Sequence, residues 1–137
     1  MNTDVAATPV FDISDFVTDP TKENEGVWHN LGHKRRIKLA RSGNPDYNRL
    51  LRAKYKANRS ILEQEDDAAS ELNDEIMIEI LAQSVIKGLE VNGVEIEYTP
   101  SKGIELLQNK DFRARIIALS GSMEAYKIKA EDAAVKS

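Results

Sequence analysis

The sequence predicts an α+β fold that is mostly α: a small N-terminal β hairpin or sheet, then about four helices with a short strand near residues 94–98. Three observations carry this. Ile37 and Leu39 alternate with Arg36, Lys38 and Ala40, which puts apolar side chains on one strand face and bases on the other. Asn44-Pro45-Asp46 reads as a helix start, because Asn caps free amides, proline at the first position loses no bond, and an acid suits the dipole. Asn92-Gly93 is a tight-turn signal, followed by Val94, Ile96 and Tyr98 alternating with Glu95 and Glu97.

The elements follow in order. Residues 1–10 are small, polar and proline-interrupted and read as a flexible tail, ahead of a single domain over 11–128. Phe11, Ile13, Phe16 and Val17 are candidate anchors for the start of that domain, with Phe11 and Ile13 spaced as in a short strand and Asp19-Pro20-Thr21 forming a turn. Residues 25–41 read as β structure around Val27, Trp28 and Leu31, with a hairpin turn near Gly32. The first long helix should run from Pro45 to about Glu63, carrying Arg49, Arg52, Lys56 and Arg59 as a basic stripe at spacings of three and four. Asp66 or Asp67 should cap a second helix reaching about Leu89, acidic in its first half and apolar on most sides in its second, as a central helix would be. Thr99 should cap a third helix, and Asn109 or Asp111 a fourth with an apolar stripe of Phe112, Ile116, Leu119, Met123 and Tyr126. Residues 129–137 lack apolar anchors and read as a second flexible tail.

The chain has 137 residues and a net charge of −4, and it has no cysteine, which excludes disulfides, thiolate metal sites and cysteine nucleophiles. No run approaches the roughly 18 apolar residues of a membrane helix, and the acidic N-terminus does not resemble a signal peptide. The modest net charge hides a sorted pattern: residues 22–59 carry +8 and residues 60–98 carry −10. Two helices packed side by side would screen each other, whereas separated blocks would form docking faces.

Motifs of catalysis are missing: there is no G-x-S-x-G elbow, P-loop or G-x-G-x-x-G. Asp66 and Asp67 sit where helix starts favour acids. His29 and His33 have metal-like spacing, but on a strand this places them about 13 Å apart, and they read as surface histidines. No catalytic, cofactor or metal residue is therefore expected. The basic segment 33–59 could meet phosphates, with Tyr47 and Tyr55 stacking on bases, so a small nucleic-acid-binding regulator is an alternative; the acidic block that follows opposes it.

The ordered motifs are Glu25-Gly26-Val27-Trp28, Lys38-Leu39-Ala40-Arg41 with Gly43-Asn44 and Tyr47, Ile86-Lys87-Gly88-Leu89, Asn92-Gly93, Glu97-Tyr98-Thr99-Pro100, Leu106-Leu107 and Phe112. In this order the sequence resembles the tail assembly chaperones of long-tailed bacteriophages over about residues 11–128, departing at Leu89, where many relatives carry tryptophan. The resemblance implies a non-enzymatic protein of the host bacterial cytoplasm, absent from the mature virion. Such a protein binds the tape measure protein, keeps that long helical chain soluble and helps recruit tail tube protein. Self-association is a further expectation, and a structural tail or head-completion protein is a further alternative. Candidate protein-contact residues are Trp28 on the hairpin, Arg49, Arg52, Lys56 and Arg59 on the basic stripe, and Met123 and Tyr126 near the C-terminus.

Overall fold

The computed structural model describes residues 8–128. Residues 1–7 of the tail expected over 1–10, and the tail expected over 129–137, lie outside the described residues, and Val10 is exposed. The chain forms a 3-10 turn (Ser14–Phe16), α1 (Pro20–Glu25), β1 (Val27–Gly32), β2 (Arg35–Leu39), α2 (Pro45–Ala57), α3 (Arg59–Leu62), α4 (Asp67–Ser84), β3 (Ile86–Val91), β4 (Val94–Ile96), α5 (Pro100–Leu107), α6 (Lys110–Gly121) and a second 3-10 turn (Glu124–Tyr126). The four strands make one antiparallel sheet in the order β1-β2-β3-β4. The α+β class with an N-terminal hairpin followed by helices is as the sequence predicts.

Both hairpins close on two residues at positive φ. Asn92 (φ 53°) and Gly93 (φ 78°) use the expected chemistry. His33 (φ 53°) and Lys34 (φ 57°) reach the same geometry without glycine, and the Asn92 amide donates to the Lys34 carbonyl at 2.9 Å, so the two turns support each other. Ile37 and Leu39 of β2 face the helices with Ile86 and Leu89 of β3, all buried. They share one core with Ile78, Leu81 and Val85 around α4, and with Leu107 and Ile116 of the last two helices.

Five sequence expectations are corrected here. The second long helix stops at Ser84, and Ile86–Val91 is a strand. An apolar run buried on both sides has no period that separates helix from strand; Ile86, Gly88 and Leu89 pair with β2, and Leu89, Glu90 and Val91 pair with β4, so the hairpin around Asn92-Gly93 is complete. Strand β4 ends at Ile96, and Tyr98 leaves the sheet to meet α4. The first long helix breaks at Asn58, whose side-chain amide turns back onto the Lys54 carbonyl at 2.8 Å, leaving α3 as a single turn. At the N-terminus, Asp19 caps α1 through the Thr21 amide at 3.0 Å rather than forming only a turn. Phe11, Ile13, Phe16 and Val17 anchor nothing: they are 93, 57, 63 and 48% exposed.

The end of α4 is held by groups from elsewhere in the chain. A helix leaves its last carbonyls without intrahelical donors. Tyr98 Oη donates to the Ala82 carbonyl at 2.5 Å, Asn44 Nδ2 to Ser84 at 3.0 Å, and the Ala40 amide to Val85 at 2.8 Å. Each such bond contributes about 1 kcal/mol, and leaving a buried carbonyl bare costs more. These three donors fix where helix gives way to strand, and so where β3 enters the sheet.

Candidate functional site

Two surfaces lack a partner. The first is a groove of about 170 Å³ between the sheet and the last two helices. Leu31, Ile37, Leu89 and Ile96 come from the strands, and Leu106 and Phe112 from α5 and α6. Most of its lining is apolar, and Arg35, Arg36, Glu90 and Lys102 complete it. The Arg35 guanidinium is fixed there by donating to the Leu31 and Gly32 carbonyls at 3.2 and 3.1 Å. The volume falls below the roughly 300–1,000 Å³ of small-molecule pockets. Along the adjoining edge, Val91, Val94 and Ile96 are 39, 63 and 40% exposed.

The second is an open hollow of about 520 Å³ where α2 meets α3, lined by Arg52, Tyr55, Lys56, Arg59, Leu62 and Glu63. The basic stripe therefore divides. Arg49 pairs with Asp46 at 2.8 Å on its own helix, and Lys54 pairs across with Glu79 of α4. Tyr55 donates to the Asn73 side chain, tying α2 to α4 a second time. The +8 and −10 blocks thus pack side by side in part. Arg52, Lys56 and Arg59 pair with no acid among the described residues, and they come together at the hollow.

Trp28 lies on the outer face of the sheet, half-buried. A Cβ built on Gly88 would stand 3.1 Å from the Trp28 ring, so glycine there lets the ring lie flat on β3. The Arg36 guanidinium sits 5.1 Å over the same ring and makes two 2.7 Å bonds to Glu90, which holds the Glu90 carboxyl below its ordinary value. Trp28 thus has part of its ring covered by β3 and by Arg36 and part open.

Met123 is half-buried, and Tyr126 is a correction: it is completely buried. The terminal stripe leaves helical geometry after Gly121, and the second 3-10 turn folds Tyr126 inward. Its hydroxyl donates to the Leu39 carbonyl at 3.1 Å, and its carbonyl accepts from Asp19 at 2.8 Å. It joins α1, β2 and the C-terminal segment and offers nothing to a partner. His29, expected at the surface, faces the Tyr126 ring at 6.2 Å; its Nε2 is enclosed without a hydrogen bond, and burial lowers its pKa. Among the described residues no group of three His, Cys, Asp or Glu could hold a metal, and no helix is long and apolar enough to cross a membrane.

Burial pushes the Tyr126 hydroxyl up to about 12, with Arg41 pulling it down and Glu23 adding to the rise, and burial raises Tyr98 as well. Both hold their protons more tightly folded than unfolded, where the ordinary value is about 10. The stability they lend is complete below about pH 10 and is lost as pH climbs toward 12 and beyond. Urea midpoints should therefore fall over that window, and Tyr126→Phe should remove about one proton from the slope.

The described residues thus form a small α+β domain with one apolar groove and one basic hollow. A family model of the YdaY prophage proteins matches residues 42–137, and the chain belongs to that family; it is a phage-derived protein. The match covers both helices of the basic hollow and the β3-β4 side of the groove. No curated protein and no solved structure matches the chain.

Proposed function

We propose that this protein is a tail assembly chaperone: in the host cytoplasm it binds the tape measure protein, keeps it soluble and helps recruit tail tube subunits, and it is left out of the mature virion. The apolar groove carries the reading. A long amphipathic helix exposes a stripe of large apolar side chains. A narrow apolar slot whose lining sets Arg35, Arg36 and Lys102 against the one acid Glu90 accepts such side chains and favours acids beside them. Prophage membership and the order of the motifs support the same reading. The chemistry required is association alone, so no catalytic residue is invoked.

Co-expression with the tape measure protein of the same prophage tests this. The expected outcome is soluble tape measure protein that co-purifies with the chain. A tape measure protein that stays insoluble and unbound contradicts the reading. Detection of the chain in purified virions would favour a structural tail or head-completion protein instead, and salt-sensitive binding to DNA or RNA would favour the regulator.

A further inference from the structure

We infer that residues 10–17, Val-Phe-Asp-Ile-Ser-Asp-Phe-Val, form an arm that docks into the basic hollow of a second copy of this chain. The arm is ordered locally but packs on little. Asp12 accepts from the Ser14 amide and hydroxyl at 3.0 and 3.1 Å, and a 3-10 turn follows. This leaves Phe11 and Phe16 pointing into solvent, with Asp12 and Asp15 between them. A segment with two exposed aromatics and no base has the composition of a ligand for a basic, apolar-floored site.

The hollow offers that site. Arg52, Lys56 and Arg59 against Glu63 leave a surplus of two positive charges, and the arm carries two negative ones. Tyr55 and Leu62 give a floor on which a phenylalanine ring can lie. The geometry favours a second copy over the chain's own hollow. After Val17 the chain is pinned by the Thr18–Lys127 bridge and the Asp19–Tyr126 bond, near α1. Asn24 of α1 lies beside Asn44, Pro45 and Asp46 at the start of α2, whereas the hollow lies at its far end. Thirteen helical residues span about 20 Å, which is the full reach of six extended residues, at about 3.3 Å each. Docking at home would stretch the arm straight and undo its turn. Reciprocal exchange between two copies needs no such stretching and buries both arms in a closed, symmetric pair.

The test is the mass of the full chain in solution with charge-reversed variants. Wild type should sediment as a dimer at low salt, and raising salt from about 50 to about 500 mM should weaken the dimer at least about tenfold. Asp12→Lys/Asp15→Lys and Arg52→Glu/Lys56→Glu should each be monomeric, with an unchanged urea midpoint because all four side chains are exposed and the Asp12–Ser14 bonds lost are local to the arm. Mixed together, the two variants should form a one-to-one heterodimer, since each arm then meets a hollow of opposite sign. A wild-type monomer at all concentrations overturns the inference. So does a dimer that survives either reversal, or variants that stay monomeric when mixed.

Discussion

Gly103→Ala is expected to destabilise the protein by about 3 kcal/mol in urea unfolding. An exposed helix glycine replaced by alanine would ordinarily gain up to about 1 kcal/mol. Gly103 lies inside α5, buried where that helix crosses α4. A Cβ there would collide with the Tyr98 hydroxyl, and it would stand 3.1 Å from Tyr98 Cζ and 3.0 Å from Ala82 Cβ. The nearest atoms belong to the Tyr98 and Ala82 side chains, so the tyrosine must move, and moving it breaks the bond that satisfies the Ala82 carbonyl. Two costs are thereby joined: overpacking and a buried, unpaired carbonyl at the end of α4. Tyr98→Phe alone should cost about 1–2 kcal/mol, and the double variant should cost clearly less than the two single changes added together. Strict additivity would show that Gly103 and Tyr98 do not share this contact.

Asn44→Asp is expected to cost about 3 kcal/mol, although aspartate caps helices as well as asparagine does. The reason is the other half of the amide. Asn44 Oδ1 accepts from the Tyr47 amide at 3.0 Å and caps α2, while Nδ2 donates to the Arg41 carbonyl at 2.7 Å and to Ser84 at 3.0 Å. One side chain of 7% exposure thus starts one helix, closes the loop before it and finishes α4. A carboxylate would keep the cap but turn an oxygen toward two carbonyls in a buried site. Asn109 supplies the control: it caps α6 through the Phe112 amide at 2.9 Å and is exposed. Asn109→Asp should stay within about 0.5 kcal/mol of wild type. Equal effects at the two sites would remove the argument that Asn44 acts through its donor side.

Both residues bear on what the sequence made legible. Asn44 was readable as a cap because capping is local: Asn-Pro-Asp states it in three residues. Its second task links positions 40 residues apart, and no local pattern records that. Tyr98 shows the same limit, since alternation with Ile96 assigned it to the strand while its hydroxyl serves a helix end. The turn Asn92-Gly93, the caps Thr99 and Asn109 and the face shared by Ile37 and Leu39 were all local and all stand. The segment 86–91 was misassigned because burial on both sides erased its period.

The basic hollow was half visible. Helical spacing placed Arg49, Arg52, Lys56 and Arg59 on one stripe, but the break at Asn58 and the pairings of Arg49 and Lys54 decide which charges remain to gather there. The apolar groove was not read from the sequence: none of its lining residues was among the expected contact residues. Its walls come from four strands and two helices, and only tertiary packing brings Leu31, Ile96 and Leu106 together. Tyr126 failed as a contact residue because the helix carrying its stripe ends at Gly121, and a stripe predicts a face only while the helix lasts.

The central claim is that the groove holds an apolar stripe of the tape measure protein. The most direct measurement is the affinity of the tape measure protein for wild type and for Ile96→Asp, whose side chain is 40% exposed at the groove on a short edge strand. The account predicts at least about thirtyfold weaker binding by Ile96→Asp, as expected on placing a charge in an apolar contact centre, with folding retained. Binding as tight as wild type, or no binding by wild type itself, would contradict it.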